Sequence, residues 1–309
     1  MCVTNITSRM RVSSAEIVAI VNPLSGAGAS TGIAERRVAL LNDQFAAAGI
    51  SGAVHLTQRR HHARELAAAA VEQGASTVIA WGGDGTINEV GVALAGSNAA
   101  LGIIPAGSGN GFARELGIPW APEAAIGIAL RGKARPIDAG EIDGRLFFNI
   151  AGVGVDAVIA EHFNTLTLGR RGMGPYVRFA VRELIRYRAS HYRVVLDGEE
   201  IVSDALLIAF ANGREYGNGI RLAPRARMDD GKLEALVVED RHPISRLWCG
   251  RHLVLGTVDR APRVFARPIE SATIETDGEM LYHVDGEIGR AKDRIEVRIR
   301  PGLLKVKTL

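Results

Sequence analysis

Asp84 stands inside a glycine-rich turn, Gly82-Gly83-Asp84-Gly85-Thr86-Ile87-Asn88-Glu89, and an acid among glycines points to phosphate chemistry. The preceding run Thr77-Val78-Ile79-Ala80-Trp81 reads as a buried strand, and Ile87 through Leu94 as a helix. A strand, a tight turn and a helix start together can hold phosphate. Glycines let the backbone approach an anion, and the helix N-terminus presents unpaired N–H groups with a favourable dipole. Thr86 is placed to cap that helix and to touch a phosphate oxygen. The Asp84 carboxylate would repel a bare phosphate, so its position predicts Mg²⁺ or a donor hydroxyl between the two. A structural turn that uses glycine only for its dihedrals is the plainer reading, and five special residues in a row weigh against it.

Two more segments have the same form. Ile17-Val18-Ala19-Ile20-Val21 enters Asn22-Pro23-Leu24-Ser25-Gly26-Ala27-Gly28, with helical periodicity resuming near Ile33. Leu101-Gly102-Ile103-Ile104 enters Pro105-Ala106-Gly107-Ser108-Gly109-Asn110-Gly111, followed by Phe112-Ala113-Arg114-Glu115-Leu116. In a parallel sheet, loops that follow strands emerge at one edge, so the three would line a single crevice. No Gly-x-x-x-x-Gly-Lys-Ser/Thr loop and no His-Arg-Asp segment is present, which excludes P-loop and protein-kinase readings.

The elements that must position these loops change character near residue 132. Before it, strands at 16–21, 53–57, 77–81 and 101–104 alternate with helices at 31–48, 62–73, 86–95, 110–116 and 121–130. That is a doubly wound α/β pattern over residues 1–132. After it, strands are expected at 135–142, 145–151, 191–197, 200–211, 233–239, 272–276, 280–284 and 294–299. Asp143-Gly144, Asp197-Gly198 and Asp277-Gly278 read as hairpin turns between them. Residues 133–309 therefore form a mainly β domain, a sandwich or curved sheet, interrupted by helical insertions at 173–189 and 243–256. A cleft between the domains is the natural site.

Composition suits a two-domain enzyme. The 309 residues carry a formal net charge of +3, which does not suggest a nucleic-acid partner. Cys2 and Cys249 have no metal or redox spacing and fit a reducing cytosol. The N-terminus has no apolar leader, and no window approaches a membrane-spanning length, so a cytoplasmic location with any lipid reached from the water side is expected. A β-domain edge strand could mediate a homodimer.

The three loops resemble the three signatures of the diacylglycerol kinase catalytic-domain family, which includes bacterial lipid kinases, sphingosine kinases and ceramide kinases. Gly107-Ser108-Gly109-Asn110 is closer to the sphingosine-kinase-like branch than to bacterial members with Gly-Thr-x-Asn. The resemblance continues through Asn149-Ile150-Ala151-Gly152-Val153-Gly154-Val155-Asp156, Met228-Asp229-Asp230-Gly231-Lys232-Leu233 and Val284-Asp285-Gly286-Glu287, covering most of the chain in order. It implies an ATP-dependent lipid kinase. The family's ATP positions fall on Asn22, Pro23, Leu24, Ser25 and Gly26, on Thr57, on Gly82 and Gly83 through Glu89, and on Ser108. Its base falls in Asp285-Gly286-Glu287, with Asp285 given the larger share and Glu287 the alternative as base or ligand of metal-bound water. Asp84 organises phosphate and metal. Asp277-Gly278-Glu279 is a near-duplicate of the base triplet, and the later copy alone has the Val-Asp-Gly-Glu context. A Mg²⁺ would be held by the Asp230 side chain and the backbone oxygens of Arg227 and Lys232, against the plainer reading of an Asp-Asp-Gly turn.

The lipid side is sketched by residues 173–189. Val177, Ala180, Val181, Leu184 and Ile185 share one helical face, while Arg178, Arg182, Arg186 and Arg188 lie elsewhere, extended by Arg170-Arg171. Such a helix can bind an anionic membrane surface peripherally, or simply pack with solvated arginines. With Leu247, Trp248, Leu253, Val254 and Leu255 of the second insertion, it would flank an acyl-chain entrance. The histidines, His61, His62, His162 and His283 among them, show no metal-ligand pattern. A soluble-substrate kinase of the NAD kinase type, which shares Gly-Gly-Asp-Gly-Thr, is the alternative enzyme, and a non-catalytic nucleotide- or lipid-binding regulator is the alternative outside enzymes.

Overall fold

Short apolar runs build the first half of the molecule. β1 (Ile17–Val21), β3 (Thr77–Gly82) and β4 (Ala100–Pro105) are buried at every position, and β2 (Gly52–Leu56) is half-buried at the sheet edge. All pairings among them are parallel, in the order β2-β1-β3-β4. α1 (Ile33–Ala48), α2 (His62–Glu72), α3 (Asp84–Leu94), the short α4 (Gly111–Glu115) and α5 (Pro122–Arg131) connect and cover the strands. Cover on both faces is why these strands read as uninterrupted apolar runs. The strand order reverses between β1 and β3, so the loops after them face each other across a topological switch.

The second half is a mainly antiparallel sandwich-like β structure. It contains β5 (Lys133–Ile142), β6 (Arg145–Phe147), β7 (Ile150–Gly154), α6 (Val155–Thr165), α7 (Met173–Arg186), β8 (Ser190–Leu196), β9 (Glu199–Ala211) and the small pair β10 (Glu215–Gly217) and β11 (Ile220–Arg221). β12 (Leu233–Glu239), β13 (Val264–Ile269), β14 (Ser271–Glu275), β15 (Met280–Val284), β16 (Glu287–Ala291) and β17 (Arg294–Thr308) complete it. This computed structural model describes residues 16–26, 32–165, 173–217, 220–240, 252, 257–258 and 261–309. The expected insertion at 243–256, apart from His252, and Arg170-Arg171 lie outside the described residues.

Several local expectations change. The strand expected at 145–151 is two strands, β6 and β7, separated by Phe148 and Asn149. The chain then passes directly from β7 into α6, a helix its sequence did not announce. β13 and β16 also went unread, and β17 runs nine residues beyond the expected end at 299. Asp143-Gly144 and Asp197-Gly198 join paired strands with both residues at positive φ, as a two-residue primed turn requires. Asp277-Gly278 does not: β14 and β15, which it connects, pair with other strands.

β17 ties the two halves together. Its first part pairs antiparallel with β14, its last part pairs parallel with β4 at Lys305↔Ala100, and β5 follows it along its other side. The register shifts between Arg300 and Leu304, where Pro301-Gly302 bends the strand. Buried Asp138 holds that bend: its carboxylate accepts the N–H of Gly302 and of Gly231, each at 2.7 Å. Phe148 stacks on Phe112 at 5.8 Å between centroids and lies against Gly91 of α3, where a Cβ would stand 2.7 Å from its ring. The two halves thus meet along one face of α3.

Candidate active site

Three glycine loops touch one another at the C-terminal edge of the parallel sheet. A Cβ on Gly26 would stand 3.1 Å from the carbonyl oxygen of Ala106, and one on Gly107 would stand 2.7 Å from the Cα of Gly83. Only backbones without side chains approach this closely. The first loop is an Asx turn: Asn22 Oδ1 accepts the N–H of Leu24, and Asn22 Nδ2 donates to Thr86 Oγ1 at 2.9 Å. Arg37 of α1 braces it, donating to the carbonyls of Asn22 and Ser25 and lying over Trp81 at 5.4 Å. Partial burial lowers the Arg37 pKa from its ordinary value. The third loop is closed by Asn110, fully buried and left-handed at φ 47°, whose amide exchanges two hydrogen bonds with the backbone of Gly107 at 2.8 Å each.

α3 begins at Asp84, two residues earlier than expected, with Gly83 at the N-cap and no side-chain cap. Thr86 is therefore not the cap. It lies buried inside the first turn, where Gly82 leaves room for it and Asn22 donates to it. Asp84 faces the third loop, where a Cβ on Gly109 would stand 3.0 Å from its Oδ2, and the nearby backbone N–H groups of Asn110, Phe112 and Gly111 favour its charged form. Burial, followed by the nearby Asp285 charge, still raises the Asp84 pKa above the usual carboxylate range.

Asp285 arrives from the other half of the molecule. With Gly286 it forms the two-residue turn between β15 and β16, at φ 47° and 86°. Its Oδ2 accepts Asn88 Nδ2 at 2.8 Å and Phe148 N at 2.9 Å; its Oδ1 accepts Asn149 N and Ile150 N at 3.0 Å each. Four donors occupy the roughly four lone-pair sites of a carboxylate. Burial raises its pKa, and the same donors oppose that rise. Glu287, the first residue of β16, meets Arg145 at 3.4 Å and Arg60 at 3.7 Å, with its side chain 26 % exposed.

The remaining site residues spread outward. Thr57 follows β2 and donates its backbone N–H to Val21, beside the first loop, while Ser108 is exposed on the third. Glu89 points elsewhere, accepting the N–H groups of His61 and Arg64 at the start of α2. Asp230 is exposed, with Oδ1 accepting Lys232 N at 3.1 Å, and Arg227 pairs with Asp229. Among the described residues, no three His, Cys, Asp or Glu side chains gather to hold a metal by themselves. A carboxylate and main-chain carbonyls, the donor types expected at Asp230, Arg227 and Lys232, are the kind a hard cation takes.

Arg37, Asn110 and Asp138 organise this region, and none of them was singled out in the sequence. Asn110 lay within a motif that displayed it, whereas Arg37 and Asp138 carried no local signal. Sequence matching reaches both halves. The diacylglycerol kinase catalytic domain matches residues 16–142, and the YegS C-terminal NAD kinase beta sandwich-like domain matches 149–308. A diacylglycerol kinase of Mycobacterium tuberculosis is 34 % identical over 301 residues, covering 93 % of this chain and 95 % of that one. A "probable lipid kinase YegS-like" of Cronobacter sakazakii is 29 % identical, covering 92 % and 94 %. The crystal structure of a diacylglycerol kinase from Bacillus anthracis shares the fold with a TM-score of 0.73 at 21 % identity, covering 95 % and 96 %. The chain belongs to the diacylglycerol kinase catalytic-domain family, in the form that carries a YegS-type β sandwich-like domain behind it.

Proposed function

We propose that this protein transfers the γ-phosphoryl group of Mg·ATP to a lipid hydroxyl, with a diacylglycerol or a sphingoid-like alcohol as acceptor. The observation that carries the reading is the meeting of α3, which starts inside the glycine loops of one half, with Asp285 on the turn of the other, joined by Asn88 Nδ2 donating to Asp285 Oδ2 at 2.8 Å. Phosphoryl transfer is mostly positioning and charge stabilisation, which suits a seam where two rigid halves converge. Gly85 borders open space, with no atom beyond its chain neighbours and its own helix backbone within 4 Å of where its Cβ would stand, so phosphate can approach the backbone there. Mg²⁺, when bound with ATP, neutralises charge on the β- and γ-phosphates.

The acceptor hydroxyl needs a group to receive its proton. Asp285 has the larger share by family resemblance, but its four donors leave it no lone pair for this task. Glu287, two residues on and partly exposed, keeps that capacity. Our reading therefore gives Glu287 the proton and Asp285 the holding of the turn. Exposed Arg178, Arg182, Arg186 and Arg188 on and after α7 favour contact with an anionic lipid surface.

The relative named a diacylglycerol kinase directs the first assay: labelled γ-phosphate, a panel of lipids in mixed micelles, and NAD as an additional acceptor. Labelled lipid formed by wild type and lost in Glu287→Gln supports the proposal. Label on NAD, or on nothing, overturns it.

A further inference from the structure

A buried pair stands behind the Asp285-Gly286 turn and is used by nothing described so far. His283 Nε2 lies 2.9 Å from Asp156 Oδ2, with side chains 2 % and 9 % exposed. Three features build the pair into the backbone. Gly154, at φ 114°, turns β7 sharply into α6, and its missing Cβ avoids the carbonyl oxygen of Leu206 at 2.6 Å. The turn folds Asp156 back over its own strand. Gly152 is the residue it covers: a Cβ there would stand 2.1 Å from Asp156 Oδ2 and 3.2 Å from His283 Nε2. Gly152 is also the register partner of His283 across β7 and β15. Asp156 Oδ1 accepts the N–H of Ala157 at the start of α6, where the helix N-terminus favours a carboxylate.

The other ring nitrogen faces the turn. Gly286 N donates to His283 Nδ1 at 3.4 Å. A ring nitrogen that accepts from an N–H carries no proton, so Nε2 must hold the proton and donate it to Asp156. A carboxylate that fixes the tautomer and orientation of a histidine is an established device for keeping a neighbouring reactive group in register.

We propose that Asp156 and His283 are a positioning pair for the Asp285-Gly286-Glu287 turn: Asp156 holds the Nε2–H tautomer of His283, and the bare Nδ1 anchors the Gly286 amide. Both act through the turn and neither touches the reacting atoms. The consequence for turnover rests on the kinase reading above, whereas the tautomer and the anchored amide do not.

Two substitutions separate the ring's two roles. His283→Gln keeps a donor for Asp156 and loses the acceptor for Gly286; His283→Asn keeps an acceptor near Nδ1 and loses the donor. His283→Gln is expected to lower kcat roughly 10- to 100-fold, the range for removing an outer-shell partner, at unchanged KM for ATP, with His283→Asn recovering much of the loss. Equal kcat losses in both variants, or wild-type kcat in His283→Gln, overturn the proposal. Long-range ¹H–¹⁵N NMR of the wild-type full chain reads the tautomer directly. A proton on Nε2 with slow exchange of the Gly286 amide supports the pair, and a proton on Nδ1 overturns it. These NMR readings decide the inference even if no lipid is phosphorylated, so its failure is distinct from failure of the kinase assignment.

Discussion

Asn88 on α3 donates to the Asp285 carboxylate at 2.8 Å across 197 residues of chain, the polar link by which a helix of the α/β half holds the turn of the β half. One helical turn further, Gly91 admits Phe148, so the link lies beside an apolar contact on the same face. Asn88→Ala removes a hydrogen bond to a charged group, worth about 1.5–3 kcal/mol. A Tm lower by several degrees and a kcat reduced with little change in KM for ATP are expected. Differential scanning calorimetry together with steady-state kinetics would check both, and an unchanged Tm would remove the link from the account.

Asp285→Asn and Glu287→Gln should part company. The first places an amide NH₂ against backbone donors, so both stability and turnover fall. The second leaves the fold intact and lowers kcat by about 10²–10⁴, the usual contribution of a proton acceptor. Full turnover in Glu287→Gln would return the proton to another group.

Gly107→Ala and Gly85→Ala test the loops. The first forces a Cβ to 2.7 Å from Gly83 Cα and 2.8 Å from Asn110 Oδ1, so the loops must separate, with a loss of stability of about 1–3 kcal/mol as for overpacking. The second meets no neighbour and should keep its Tm while weakening ATP binding. Isothermal titration beside thermal melts reads both, and normal ATP affinity in Gly85→Ala would place the phosphates elsewhere.

Asp84 should leave a mark on stability against pH. Its folded pKa is raised by burial and by Asp285, while an unfolded aspartate titrates near about 3.9. Between that value and the raised one, the folded state binds more protons than the unfolded chain. Stability from this group is thus complete below about pH 3.9 and declines as pH rises through the folded value. Asp84→Asn, which cannot ionise, is expected to flatten that part of the curve. Tm measured from pH 4 to 8 in both proteins checks it, and parallel curves would exclude Asp84 as the source.

How legible the molecule was depends on the range of each interaction. Val18, Ile79 and Ile103 announce buried parallel strands because cover on both faces demands unbroken apolar runs, a local requirement. Gly82 through Gly85 and Gly107 through Asn110 announce tight glycine loops because such turns demand particular residues, again locally. α6 stayed hidden because Gly154 turns strand into helix without a spacer, and β17 was cut short because Pro301-Gly302 resembles an end and is a bend held by Asp138. Asp277-Gly278 and Asp285-Gly286 are indistinguishable as dipeptides, and only strand pairing separates the connection from the hairpin.

The sequence by itself determined the α/β half, the β character of the rest, the three glycine loops and the family they resemble, since each follows from periodicity, backbone conformation or motif within a few residues. Only the tertiary structure decided that Asn110 closes the third loop on Gly107, that Asp285 is filled by four donors while Glu287 is not, and that Glu89 serves the start of α2. A carboxylate's role is set by which donors reach it and how much water it loses, and those donors come from segments far away in the chain.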